Sequence, residues 1–173
     1  TMPPEIQHLA DMFLSNPVKV EASRPATTAD TVSQYIVSAG REAADKRAVL
    51  RKLIREATDL TNAIVFCNRK RDVAILHRSL QRHGFNAGAL HGDMDQRSRT
   101  QTLDDFRKDK LTLLIDSDVA ARGLDIPAVS HVFNFDVPTH SEDYVHRIGR
   151  TGRAGRSGTA ITIVTSADKK YVA

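Results

Sequence analysis

Tryptophan is absent from this chain, aromatic residues make up 5% of it, and cysteine occurs once, at position 67. The scarcity of aromatic rings argues against a base-stacking platform of the kind many single-strand binders use. A lone Cys67 rules out a disulfide within the chain and fits a reducing compartment. It follows the apolar run Ala63-Ile64-Val65-Phe66, so it reads as a packed residue rather than a nucleophile. No apolar stretch approaches the roughly 20 residues that a membrane-spanning helix needs. The seven histidines are scattered, and no Cys, His and carboxylate cluster has metal-ligand spacing. The phosphate-cradling pattern Gly-x-x-x-x-Gly-Lys-Ser/Thr is also missing. Gly149, Gly152, Gly155 and Gly158 recur every third residue, but no Lys-Ser or Lys-Thr follows them.

What is present suits one domain of ordinary size: 173 residues, 40% of them hydrophobic, enough to bury a core. The net charge of +4 favours an anionic partner without identifying one. Short apolar runs at 31–37, 62–66, 86–90, 112–115, 129–135 and 159–164 read as strands. Several are apolar almost throughout, as strands covered on both faces are. Helical patterns lie between them. Residues 41–58 carry Leu50, Leu53 and Ile54 on one face and Lys46, Arg47, Arg51 and Arg55 on the other. Residues 71–83 carry Val73, Leu76 and Leu80, and Gly84 stands where a helix C-terminus wants glycine. Residues 95–108 carry Leu103 and Phe106. Strands alternating with helices imply an α/β fold with a mostly parallel sheet and helices on both faces. In such sheets the loops at the carboxyl ends of the strands hold the ligand.

The most specific stretch is Tyr144-Val145-His146-Arg147-Ile148-Gly149-Arg150-Thr151-Gly152-Arg153-Ala154-Gly155-Arg156. Arginine stays charged at physiological pH, and its planar fork matches phosphate oxygens. Glycine lets backbone approach a ligand closely. Taken singly, each arginine is as well explained by a solvated surface loop. The unit as a whole points to a phosphate-rich partner.

This unit resembles motif six of the DEAD-box RNA helicases, and other motifs follow in the family's order. Phe66-Cys67-Asn68 is similar to motif four, and His91-Gly92-Asp93 with Gln96 and Arg99 to the segment after it. Ser117-Asp118-Val119-Ala120-Ala121-Arg122-Gly123-Leu124-Asp125 resembles motif five, and Val132-Phe133-Asn134-Phe135-Asp136 the short motif beyond. The wording is nearest the RhlE-like bacterial branch. The resemblance implies a RecA-like three-layer fold, with residues 31–173 forming most of the second helicase lobe. It implies that residues 1–24 are a helix and strand closing the first lobe, and that 25–30 are the linker between lobes. The Ile6, Leu9, Phe13 and Leu14 face of that helix is then expected to pack against something, and any dimer it forms to reflect truncation.

Roles follow from the same resemblance. Arg150 and Arg153 are the arginines that stabilise charge on a transferring phosphoryl group, and His146 sits at the lobe interface. Asp125 and Gly123 contact the nucleotide, with Asp125 accepting from the ribose hydroxyls. Gly92, Gln96, Arg99, Ser117, Asp118 and Arg122 contact the RNA backbone, without reading bases. ATP with Mg²⁺ is held mainly by the first lobe, whose phosphate loop and Asp-Glu-Ala-Asp box are not in this chain, so the isolated chain is expected to lack ATPase activity. The partners implied are RNA and the first lobe of the same protein, in the cytoplasm and without a membrane. Arg147 reads as an internal ion-pair former. The alternatives are a non-catalytic RNA-binding or protein-docking module and a related superfamily-two motor acting on DNA. Two positions depart from the family pattern: Arg69 stands where motif four ends in threonine, and Asp116 replaces a small or apolar residue just before Ser117. Asp116 is expected to add negative charge beside the phosphate path and weaken RNA binding.

Overall fold

The short apolar runs form parallel strands, and the amphipathic stretches form the helices that cover them. The computed structural model describes residues 31–118, 125–153 and 155–168. The readings of residues 1–30 and of Arg122 and Gly123 lie outside these. In chain order the elements are β1 (Val32–Ser38), α1 (Ala43–Glu56), β2 (Ala63–Cys67), α2 (Lys70–Arg82), β3 (Ala87–Leu90), α3 (Gln96–Arg107), β4 (Leu113–Ser117), β5 (His131–Asn134), α4 (Ser141–Ile148) and β6 (Gly158–Val164), followed by a 3₁₀ turn at Ser166–Asp168.

Among the described residues the sheet has the order β1-β6-β5-β2-β4-β3, and every neighbouring pair is parallel. Successive side chains of a strand point to opposite faces. Ala63, Val65 and Cys67 of β2 therefore join one core with Leu50, Leu53 and Ile54 of α1 and Val73, Leu76 and Leu80 of α2. Ile64 and Phe66 join the other, with Leu103 and Phe106 of α3 and Ile148 of α4. The expected three-layer α/β architecture is present.

The helix ends have separate causes. Glu42 and Asp45 form a reciprocal capping box at α1, and Asp95 accepts from the Ser98 amide at α3. At α2 the chain turns after His83 with Gly84 at φ +83°, the left-handed conformation glycine tolerates. Helix α4 is not among the helices read from the sequence.

The connections fix where a ligand site belongs. β2 continues through α2 to β3 at one edge, whereas β5 continues through α4 to β6 on the other side. β2 and β5 are neighbours, so their outgoing chains diverge and leave a crevice at their carboxyl ends. This divergence is a topological switch point, where open α/β sheets bind ligands.

Candidate phosphate and RNA-backbone site

A cleft of about 400 Å³ opens at that switch point, lined by Phe66, Asp118, Glu142, Asp143, His146, Arg147 and Arg150. Phe66 comes from the end of β2 and Asp118 from just past β4. The rest come from α4 and the turn after it. The acidic Glu142 and Asp143 sit in the first turn of α4, where the helix dipole favours them, and His146 and Arg147 in the last.

Arg147 is the structural hub of this region. It is 1% exposed, and its fork is fully used. Nε donates to Asp118 Oδ1 at 2.8 Å and Nη2 to Asp118 Oδ2 at 2.6 Å. Nη2 also donates to Asn68 Oδ1 at 2.7 Å, and Nη1 to the Asp136 carbonyl at 2.9 Å. The guanidinium lies 5.3 Å over the Phe66 ring. One side chain thus ties α4 to the carboxyl ends of β2, β4 and β5. Asp136 is held from the other side by Lys46 at 2.8 Å and accepts from the Asn68 amide at 2.9 Å. The reading of Arg147 as an internal ion-pair former agrees with this geometry.

Arg150 is placed differently. It is half-buried at the cleft, and its guanidinium makes no hydrogen bond or ion pair among the described residues. Burial lowers its pKa from the usual arginine value, and the charge of Arg153 lowers it further. Backbone bonds fix the turn that carries it. The Val129 amide donates to the Arg150 carbonyl at 3.0 Å, and the Thr151 hydroxyl donates to the carbonyls of Val129 and Ser130. Gly152 adopts φ +71°. A side chain at Gly158 would stand 2.5 Å from the Gly152 nitrogen, so the turn closes directly on the start of β6. Arg153 is exposed and donates Nε to the Gly149 carbonyl at 2.7 Å. His146 is exposed on the cleft wall. Asp125 is exposed, its carbonyl accepts from Arg107, and its carboxylate acts on the Arg150 charge.

The residues assigned to RNA lie at the adjoining strand ends. β3 and β4 are parallel neighbours with Leu90 opposite Asp116, so Gly92 lies beside the Ser117–Asp118 end of β4. Gln96 opens α3 and is exposed, and Arg99 is half-buried one turn later. Ser117 is 6% exposed, and both Asp118 oxygens accept from Arg147.

The expectation for Asp116 is overturned. Its carboxyl is 0% exposed rather than facing a strand path. Alternation along β4 puts it on the inner face shared with Leu114, where neither oxygen has a hydrogen-bond partner. Glu142 and Asp143, which give the cleft an acidic wall, were not singled out in the sequence. Acidic residues opening a helix are the available signal, and it is lost when the helix itself goes unassigned.

Residues 45–155 match the helicase conserved C-terminal domain. The chain belongs to that family, as the C-terminal RecA-like lobe of DEAD-box proteins. The Escherichia coli DEAD-box protein SrmB, solved bound to the regulator of ribonuclease activity A, is 41% identical with a TM-score of 0.74, covering 79% of each chain. The C-terminal domain of the DEAD-box protein Dbp5 is 37% identical with a TM-score of 0.69, covering 83% of this chain and 86% of that one. The ATP-dependent RNA helicase CshA of Limosilactobacillus reuteri is 42% identical over 99% of this lobe, which spans 34% of that protein's length. The DEAD-box ATP-dependent RNA helicase RhpA of Helicobacter pylori is 44% identical over 98%, again with 34% of its length spanned. Relatives in rice, yeasts and fly do not single out an RhlE-like branch.

Proposed function

We propose that this lobe works in an ATP-dependent RNA helicase, where it supplies Arg150 and Arg153 to the phosphates of ATP and half of an RNA-backbone surface. The observation that carries the reading is the contrast between two arginines of one turn. Arg147 is spent on Asp118, Asn68 and the Asp136 carbonyl, while Arg150 borders the cleft with no partner of its own among the described residues. A half-buried cation held by a rigid turn is pre-organised for an anion that arrives from outside the lobe.

In phosphoryl transfer, negative charge spreads over the γ-phosphate oxygens, and an arginine supplied from another domain is worth about 10³–10⁵ in rate. That corresponds to roughly 4–7 kcal/mol of barrier. ATP and Mg²⁺ would rest mainly on the other lobe. Among the described residues, no group of three or more His, Cys, Asp or Glu side chains is placed to share a metal. Asp125 would take the ribose, together with Gly123. Gly92, Gln96, Arg99, Ser117, Asp118 and Arg122 would border the RNA path, with Asp118 acting through Arg147. Contacts of this kind position a strand without reading its sequence.

The test uses the two-lobed protein. Arg150→Ala or Arg153→Ala lowers kcat of RNA-stimulated ATP hydrolysis by at least about 10²-fold, with a much smaller change in ATP affinity. Equal loss of binding with unchanged turnover would reassign them to ground-state contacts.

A further inference from the structure

We propose that the outer face of α2 is a docking site for an acidic helix of a partner protein, with Ile75 as the apolar anchor and Arg71, Arg78 and Arg82 as the groups that meet its carboxylates. This face is separate from the nucleotide and RNA site described above.

Helix α2 buries Val73, Leu76 and Leu80 against the sheet. Its exposed residues Arg71, Ile75, Arg78 and Arg82 follow one another at steps of four, three and four, so they form a single stripe on the opposite side. At the helical rise the stripe is about 16 Å long. Ile75 is 40% exposed, and no other large apolar side chain is as open among the described residues. A single exposed aliphatic is ordinary. Its setting is not: an open groove of about 580 Å³ borders it, lined by Ile75, Arg78, Gln81 and Arg82, all of α2. A stripe with this spacing is the seam along which one helix packs on another.

The charges of the stripe have one sign. Arg78 and Arg82 make no hydrogen bond or ion pair among the described residues, and Arg71 stands 3.9 Å from Asp72 in a loose pair. On neighbouring α1, Arg51 donates to Ser79 Oγ at 3.4 Å and Arg55 to the His83 carbonyl at 3.3 Å. Those two arginines hold α1 to α2, whereas Arg78 and Arg82 are left for a partner. An arginine fork takes a carboxylate through two parallel bonds, and an aliphatic side chain takes Ile75 out of water. The occupant that fits therefore carries carboxylates spaced like the arginines, with one aliphatic residue among them. A nucleic-acid backbone fits less well. It offers nothing to Ile75, and the stripe has no aromatic ring on which a base would stack. The residues assigned to RNA also lie elsewhere: Gln96 and Arg99 belong to α3, which covers the other face of the sheet.

The probes are two alanine-based helical peptides, with Glu-Leu-Glu-Glu or Glu-Glu-Leu-Glu at steps of four, three and four, to cover parallel and antiparallel docking. Binding to the 173-residue chain is read by fluorescence anisotropy. One of them binds with Kd below about 1 mM, as a small interface allows, and its scrambled version and its Gln-for-Glu version bind more weakly. Ile75→Ala lowers the affinity by about tenfold. Arg78→Ala and Arg82→Ala lower it by up to about fivefold each. Added salt shrinks the arginine effects and leaves that of Ile75. Binding by neither peptide, equal binding of the scrambled peptide, or an affinity that Ile75→Ala and Arg78→Ala leave unchanged overturns the proposal. Single-stranded oligouridylate is the competing probe. If it displaces the peptide and loses affinity in Arg78→Ala, the stripe is an RNA surface and the proposal falls. In the two-lobed protein, Ile75→Ala leaves kcat of RNA-stimulated ATP hydrolysis unchanged. A fall in kcat would place the stripe in the catalytic cycle and equally overturn its role as a separate docking face.

Discussion

A carboxyl inside a sheet changes how stability depends on pH. The folded-state pKa of Asp116 lies well above the unfolded value of about 3.9, so the folded protein binds more protons than the unfolded chain in the interval between them. Stability then falls as pH rises through that interval, by up to about 1.4 kcal/mol per pH unit. His131 acts in the opposite sense. Burial lowers its pKa, so its contribution is lost as pH falls below about 6.5. The informative quantity is the difference between wild type and Asp116→Asn, in which His131 cancels. Chemical denaturation at pH 5 and pH 8 is expected to show Asp116→Asn gaining on the wild type at the higher pH. A constant difference would mean that Asp116 is ionised in the folded state throughout.

At the scale of single elements, α2 begins badly. Its N-cap is Arg69, extended at φ −126° and ψ 138°, and no side chain caps the exposed amides. A cation there also opposes the helix dipole. Arg69→Thr is expected to raise unfolding stability by about 1 kcal/mol, read as a higher Tm, because a threonine hydroxyl accepts from the free amides of the first turn. No gain in Tm would show that water already satisfies them. The strands were legible because burial on both faces makes them nearly continuous apolar runs, and predicted boundaries fall within two residues of those observed. Helices of twelve or more residues with spaced apolar side chains were legible because they run for three turns or more. Helix α4 was not: its eight residues make little more than two turns, too short for a period to show. The motif arginines were found as a group, and the inward turn of Arg147 was expected from the family resemblance rather than from their spacing. Whether Arg147 turns inward and Arg150 outward depends on where α4 ends, which the spacing of residues does not state. Asp116 failed for a related reason. Its direction is set by the parity of its position in β4, and Ser117 and Asp118 beside it suggested an open strand end.

For the whole molecule, Arg147 is where the two halves of the sheet meet. It joins α4, which leads to β6, to the ends of β2, β4 and β5 across the switch point. Its side chain and that of Asp118 are 1% and 28% exposed, so removing one partner strands a poorly solvated charge. Arg147→Ala is expected to cost about 3–5 kcal/mol of unfolding stability by denaturant titration. Arg147→Lys restores little, since an ammonium cannot make the two parallel bonds to Asp118 while also reaching Asn68. A loss below about 1 kcal/mol, the level of an exposed pair, would mean the network relaxes around the gap.

The pairing of β1 with β6 has a consequence for how the chain is made. The Thr31 hydroxyl, just ahead of β1, bonds the Gly152 carbonyl 121 residues later, and β1 has no neighbour in the described sheet other than β6. Synthesis at about 5–20 residues per second leaves β1 outside the ribosome for roughly 6–24 s before its partner emerges. During that interval an apolar strand with both backbone edges unpaired is exposed to other nascent chains. The lobe is thus most vulnerable to aggregation while it is being translated, and slowed elongation between β1 and β6 prolongs the hazard.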